Sequence, residues 1–115
     1  MKDRTVFRLR DIIDAIEQID ALLADKSFED IQQDRVTRAA FERFLEILSE
    51  ASRHVPQALK NEAPDIAWRR VADIGNHLRH TYHRVDAEIL WNLHTEGELA
   101  HLRNVVLRFL TRMEK

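Results

Sequence analysis

The residues best able to do chemistry crowd into one short stretch, Ile74-Gly75-Asn76-His77-Leu78-Arg79-His80-Thr81-Tyr82-His83-Arg84-Val85-Asp86. Three of the chain's six histidines fall here, beside two arginines and the only tyrosine. Imidazole changes charge near neutral pH, so it can take a proton from a hydroxyl and give it back. Guanidinium stays charged, and its fork matches phosphate oxygens. Together they fit a metal-free acid–base site, in which a histidine deprotonates a ribose 2′-hydroxyl and a cation stabilises the phosphorane that follows. Asn76 is suited to fixing a histidine tautomer or a phosphate. Arg69, Arg70, Arg79 and Arg84 supply local positive charge.

Two other readings of the same residues stay open. His77, His80 and His83 recur every third residue, a spacing that drifts about 60° per step around a helix and suits zinc less well than i,i+4 pairs. Alternatively, the histidines and arginines simply dress a solvated helix end.

The elements that must hold this stretch are helices. The chain has 115 residues, enough for one domain over 1–115 with a single core. Two glycines and two prolines leave little punctuation for hairpins, and long helices with short connections follow. Val6, Leu9, Ile12, Ile13, Ile16, Ile19, Leu22 and Leu23 paint one stripe on a helix from about Asp3 to Ala24. Ser27 caps a short turn, and Asp34 caps a second long helix carrying Ala40, Phe41, Phe44, Leu45, Leu48, Ala51 and Val55, which Pro56 stops. Glu46 and Glu50, four residues apart beside that apolar face, read as solvated or salt-bridged carboxylates.

Asp65 opens a third helix through Trp68, Val71, Ile74 and Leu78 that runs straight into the histidine-arginine stretch. Asp86 caps a short fourth segment, and Thr95 with Glu98 has capping-box spacing for a last helix through Leu99, Leu102, Val105, Val106, Phe109, Leu110 and Met113. The fold class is all-α, an up-and-down bundle of four to five helices expected to dimerise.

Composition narrows the function classes. The net charge of −2 gives no global footprint for nucleic acid, so RNA contact must use a local basic patch. Zero cysteines exclude disulfides and thiolate metal sites. No leader and no apolar run long enough for a bilayer is seen, and the expectation is a cytoplasmic protein.

The sequence resembles the HepT-like branch of the HEPN superfamily. The likeness runs through Leu9-Arg10-Asp11-Ile12-Ile13-Asp14-Ala15-Ile16, Glu42-Arg43-Phe44-Leu45-Glu46-Ile47-Leu48-Ser49-Glu50-Ala51 and Ile66-Ala67-Trp68-Arg69-Arg70-Val71-Ala72-Asp73-Ile74-Gly75-Asn76. It continues in His80-Thr81-Tyr82, Val85-Asp86 and Ile89-Leu90-Trp91. The resemblance implies a small helical homodimer acting as a metal-independent endoribonuclease toxin of a type II or VII toxin-antitoxin pair, with no cofactor. Its cognate partner would be a minimal nucleotidyltransferase antitoxin that adenylylates Tyr82.

The family signature is an arginine, four to six residues, then a histidine, commonly with asparagine directly after the arginine. Aligned on Asn76 and His80-Thr81-Tyr82, it makes His80 the catalytic histidine and puts Gly75 where the arginine belongs. Arg79 can replace that arginine only if the helix ends here or a partner subunit brings it round. Arg70 and His77 fit the spacing literally but out of register. The site expected is therefore His80 as general base or acid, Arg79 as phosphate clamp and Asn76 as orienting group. Arg70, Arg84 and His77 would help hold RNA. The alternative is a non-catalytic binding or substrate partner of the nucleotidyltransferase, the altered signature marking lost cleavage.

Overall fold

The computed structural model describes residues 2–80 and 83–114. The unbroken apolar stripe at the start of the chain forms helix α1, Lys2–Leu23, whose Leu9, Ile12, Ile16 and Ile19 are wholly buried. Asp25 ends it in the left-handed region, φ 63°, a conformation a short polar side chain tolerates, and Lys26 N–H returns to the Leu23 carbonyl at 3.0 Å. Ser27 then caps α2, Phe28–Gln33, in a reciprocal box with Asp30.

Asp34 starts α3, Arg35–Arg53, by accepting from the backbone N–H groups of Val36 and Thr37 at 3.1 and 3.2 Å. Its buried face carries Phe41, Leu45, Leu48 and Ala51. The helix stops before Pro56, which leads into the single turn α4, Gln57–Asn61. Next come two short pieces, α5, Trp68–Ala72, and α6, Ile74–Leu78. Helices α7, Arg84–Thr95, and α8, Glu98–Met113, complete the described chain.

All of these elements are helical, as expected, and no strand occurs among the described residues. Helix α1 packs against α3 and α8, and α8 also meets α7. Helix α5 lies on α3, while α6 bridges α3 and α7. One apolar cluster ties these faces together, from Leu9 and Ile16 through Leu45, Leu48 and Ile74 to Leu102 and Val106. No described helix is long and apolar enough to cross a membrane.

The structure corrects four local expectations. The third helix is not continuous but breaks at Asp73 into α5 and α6. Asp65 caps nothing: α5 begins after Ala67 with no side-chain cap, and Asp65 instead accepts from His101 Nε2 at 2.6 Å. Asp86 lies inside the first turn of α7, whose cap is His83. Thr95 and Glu98 form no box, because Thr95 still belongs to α7 and Gly97, at φ 85°, starts α8.

Candidate functional site

The break at Asp73 builds the site. A helix that stops leaves its last carbonyls without intrahelical donors. Those of α5 are met from α3: the buried Ser49 hydroxyl donates to Val71 O at 2.9 Å and Ala72 O at 3.2 Å. Arg53, one turn further along α3, donates to Ala72 O from both Nε at 3.2 Å and Nη2 at 2.7 Å. Three donor atoms thus fix where α5 ends and where α6 begins.

Helix α6 lasts only five residues, with Arg79 as its C-cap. Of the two conditions under which Arg79 could stand in for the arginine, a helix end here or a partner subunit, the helix end is present in this chain. Asn76 is the hub. Its side-chain amide donates to Asp73 Oδ1, and its side-chain oxygen accepts from Arg79 Nη2. Its backbone carbonyl pairs with His80 Nδ1 at 2.9 Å. A carbonyl can only accept, so in the neutral ring Nδ1 carries the hydrogen and Nε2 carries the lone pair. The arginine and the histidine are therefore both anchored on one asparagine, through different oxygens.

His83 follows with its ring 6.5 Å from that of His80 and inclined to it by 21°. Around Gly75 two guanidiniums approach. A Cβ built at this glycine would lie 3.9 Å from both Arg53 Nη2 and Arg79 Nη1. The space they border is a cleft of about 380 Å³, lined by Glu46, Ser49, Glu50, Arg53, Gly75, Leu78 and Arg79. Its two carboxylates have partners of their own, as the sequence suggested: Glu46 accepts from Arg43 at 2.5 Å and Glu50 from His54 at 3.0 Å. The His54 hydrogen bond, helped by the charges of His54 and Arg53, holds the Glu50 carboxyl below its ordinary value.

Other residues singled out by the sequence are placed differently. His77 donates from Nδ1 to Asp86 at 2.8 Å, partly buried, and ties α6 to α7. Arg70 pairs with Glu98 at 3.0 Å. Arg84 pairs with Glu88 at 2.7 Å and Glu29 at 2.6 Å, and lies 4.9 Å from the centre of the Phe28 ring. These two arginines already face carboxylates. Tyr82 lies outside the described residues. Among the described residues no three histidine or carboxylate side chains converge as a metal-holding group.

Arg53 was not a candidate from sequence. A signal existed: Glu46, Glu50 and Arg53 succeed one another at four and three residues along one face of a helix. What the sequence hides is that this face meets Gly75.

The family model for Ribonuclease HepT-like proteins matches residues 12–109. The chain is 41% identical over 83 residues to a protein named as a probable ribonuclease HepT from Thermococcus cleftensis, covering 72% of this chain and 76% of that one. It is 30% identical over 92 residues to a protein from Methanocaldococcus jannaschii named as a candidate RNase, covering 80% and 75%. A similarly named protein of Caldanaerobacter subterraneus is 35% identical over 65 residues, covering 56% and 58%. No solved structure matches the chain at a significant level.

Proposed function

From the premise that the chain belongs to the HepT-like ribonuclease family, we propose that it is an endoribonuclease working through His80, Arg79 and Asn76. The observation that carries this reading is the double anchorage on Asn76: Arg79 on its side-chain oxygen, His80 Nδ1 on its backbone oxygen. His80 Nε2 takes the proton of a ribose 2′-hydroxyl. That oxygen attacks the adjacent phosphorus, the new O–P bond forms and the bond to the 5′-oxygen breaks, leaving a 2′,3′-cyclic phosphate. The imidazolium then returns its proton to the departing 5′-oxygen. Arg79 stabilises the charge that gathers on the phosphorane oxygens. No step uses a metal ion.

In this reading the chain is the toxin of a type II or VII toxin-antitoxin pair and works as a homodimer. A cognate minimal nucleotidyltransferase silences it by adding AMP to Tyr82, which sets a phosphate charge two residues from His80. Gly75, where the family arginine is expected, supports a second reading: a non-catalytic substrate or binding partner of that nucleotidyltransferase.

Cleavage of pooled RNA by the purified protein in excess EDTA separates the two, beside His80→Ala and Arg79→Ala. We expect rates to fall at least about a hundredfold in each variant. Cleavage that survives His80→Ala removes the site assignment. An inert wild type whose intact mass shows no AMP adduct selects the second reading.

A further inference from the structure

Six of the fourteen arginines face a carboxylate at ion-pair distance among the described residues. Arg10, Arg43, Arg70, Arg84, Arg103 and Arg112 each make an ion pair. Arg53 and Arg79 are not among these, and both line the cleft beside Gly75. Both are held by neutral groups, a backbone carbonyl and an asparagine oxygen, and neither has a carboxylate within ion-pair distance among the described residues. Hydrogen bonds to neutral oxygens aim a guanidinium without placing a carboxylate against it, although the Arg53 charge is felt by Glu50 along the same helix face. The two come from helices remote in sequence, yet one nitrogen of each lies 3.9 Å from the same point above Gly75, so those nitrogens are at most twice that distance apart. The absent side chain at Gly75 keeps the space between them open.

We infer that Arg53 is the second arm of a two-arginine clamp that, with Arg79, grips one phosphate of the RNA backbone over Gly75. The assignment rests on the ribonuclease reading for its ligand and on the geometry for its residues. A phosphodiester offers two unbridged oxygens, and two guanidiniums that border one cleft from different helices can each donate to one of them. The anion also meets less opposition than the two cleft carboxylates suggest, since Glu46 and Glu50 are engaged by Arg43 and His54. Arg53 thus occupies, from another helix, the neighbourhood that an arginine at position 75 would have filled. It is a binding residue, and nothing in the geometry asks it to move a proton.

The test is binding of a short 2′-O-methylated RNA oligonucleotide, which has no nucleophile and stays intact, measured by fluorescence anisotropy across a salt series. Arg53→Ala should weaken binding about five- to tenfold and flatten the salt dependence by roughly one phosphate contact. Arg53→Lys should recover the salt dependence but only part of the affinity, because ammonium lacks the fork. Arg112→Ala, whose guanidinium is paired with Glu62 away from the cleft, should bind as wild type.

Arg53 also caps α5, so a thermal melt accompanies each variant. The wild type supplies a mutation-free readout: the Arg53 and Arg79 Nε–H resonances should shift on adding the oligonucleotide, and that of Arg112 should not. Unchanged affinity in a folded Arg53→Ala, unmoved Arg53 resonances or no binding by the wild type would each overturn the clamp. Binding with the expected shifts but no cleavage of ordinary RNA would keep the clamp and remove the nuclease reading. Cleavage with normal binding by Arg53→Ala would do the reverse.

Discussion

The two glycines show how the same residue type answers to different physics. Gly75 lies in α6 at an ordinary helical φ, and a Cβ there would touch only the ends of two flexible arginines at 3.9 Å. Nothing in the backbone requires glycine, so Gly75→Ala should gain roughly 0.5–1 kcal/mol from lower unfolded-state entropy. Gly97 is the opposite case. Its φ of 85° belongs to the left-handed region, and although a methyl would meet nothing within 4 Å, Gly97→Ala should lose about 1 kcal/mol or more to strain. Urea unfolding of both variants checks the signs, and two changes of the same sign would contradict this account. From sequence only Gly75 stood out, and nothing marked the backbone constraint at Gly97. Gly75 followed from alignment as a missing arginine, whereas its spatial substitute, Arg53, needed the fold to be seen.

At the scale of elements, legibility tracked the strength of the apolar period. The long stripes of α1, α3 and α8 bury the residues expected of them, because many side chains must agree on one face. Short segments carry too few such votes. Trp68, Val71, Ile74 and Leu78 fit one helix, yet the chain breaks at Asp73, where carbonyl partners on Ser49 and Arg53 make an early ending inexpensive. Cap residues divided along similar lines. Asp34 caps as expected, while Asp65 and Asp86 take histidines instead.

Asp34 gives an element-scale prediction with a definite sign. Its carboxylate accepts from the Thr37 hydroxyl at 2.8 Å and from two backbone N–H groups, and these bonds, the Thr37 hydroxyl foremost, lower its pKa from the ordinary 3.8. A depressed folded-state pKa means a contribution fully present above the unfolded value and lost as pH falls through the folded one. Asn caps helices nearly as well but does not titrate. Asp34→Asn should therefore melt within a few degrees of wild type at pH 7 and lose less stability than wild type below about pH 4. Melting curves across that range decide it, and parallel losses in both proteins would show that the cap does not carry the acid sensitivity.

At the scale of the whole molecule, the question is whether one chain is the working unit. The protein is long, 44 × 24 × 21 Å, and exposes 7055 Å². A compact monomer of 13.6 kDa is expected to expose about 6,600 Å². Some of the excess is apolar, with Phe7 60%, Val36 79% and Val85 70% exposed. Val85 matters most, because it lies within the histidine-arginine stretch, in the first turn of α7. A dimer that brings the two sites to a shared cleft would cover it, and would add a second set of guanidiniums to a chain whose total charge is −2. Light scattering should then give twice the mass of one chain. Val85→Glu, which places a carboxylate in an apolar seam, should weaken association at least about tenfold. RNA cleavage should fall in step as the variant is diluted into monomers. A wild type that stays monomeric at high concentration yet cleaves RNA would show that a single chain carries the complete site, with Arg53 and Arg79 as its only phosphate clamp.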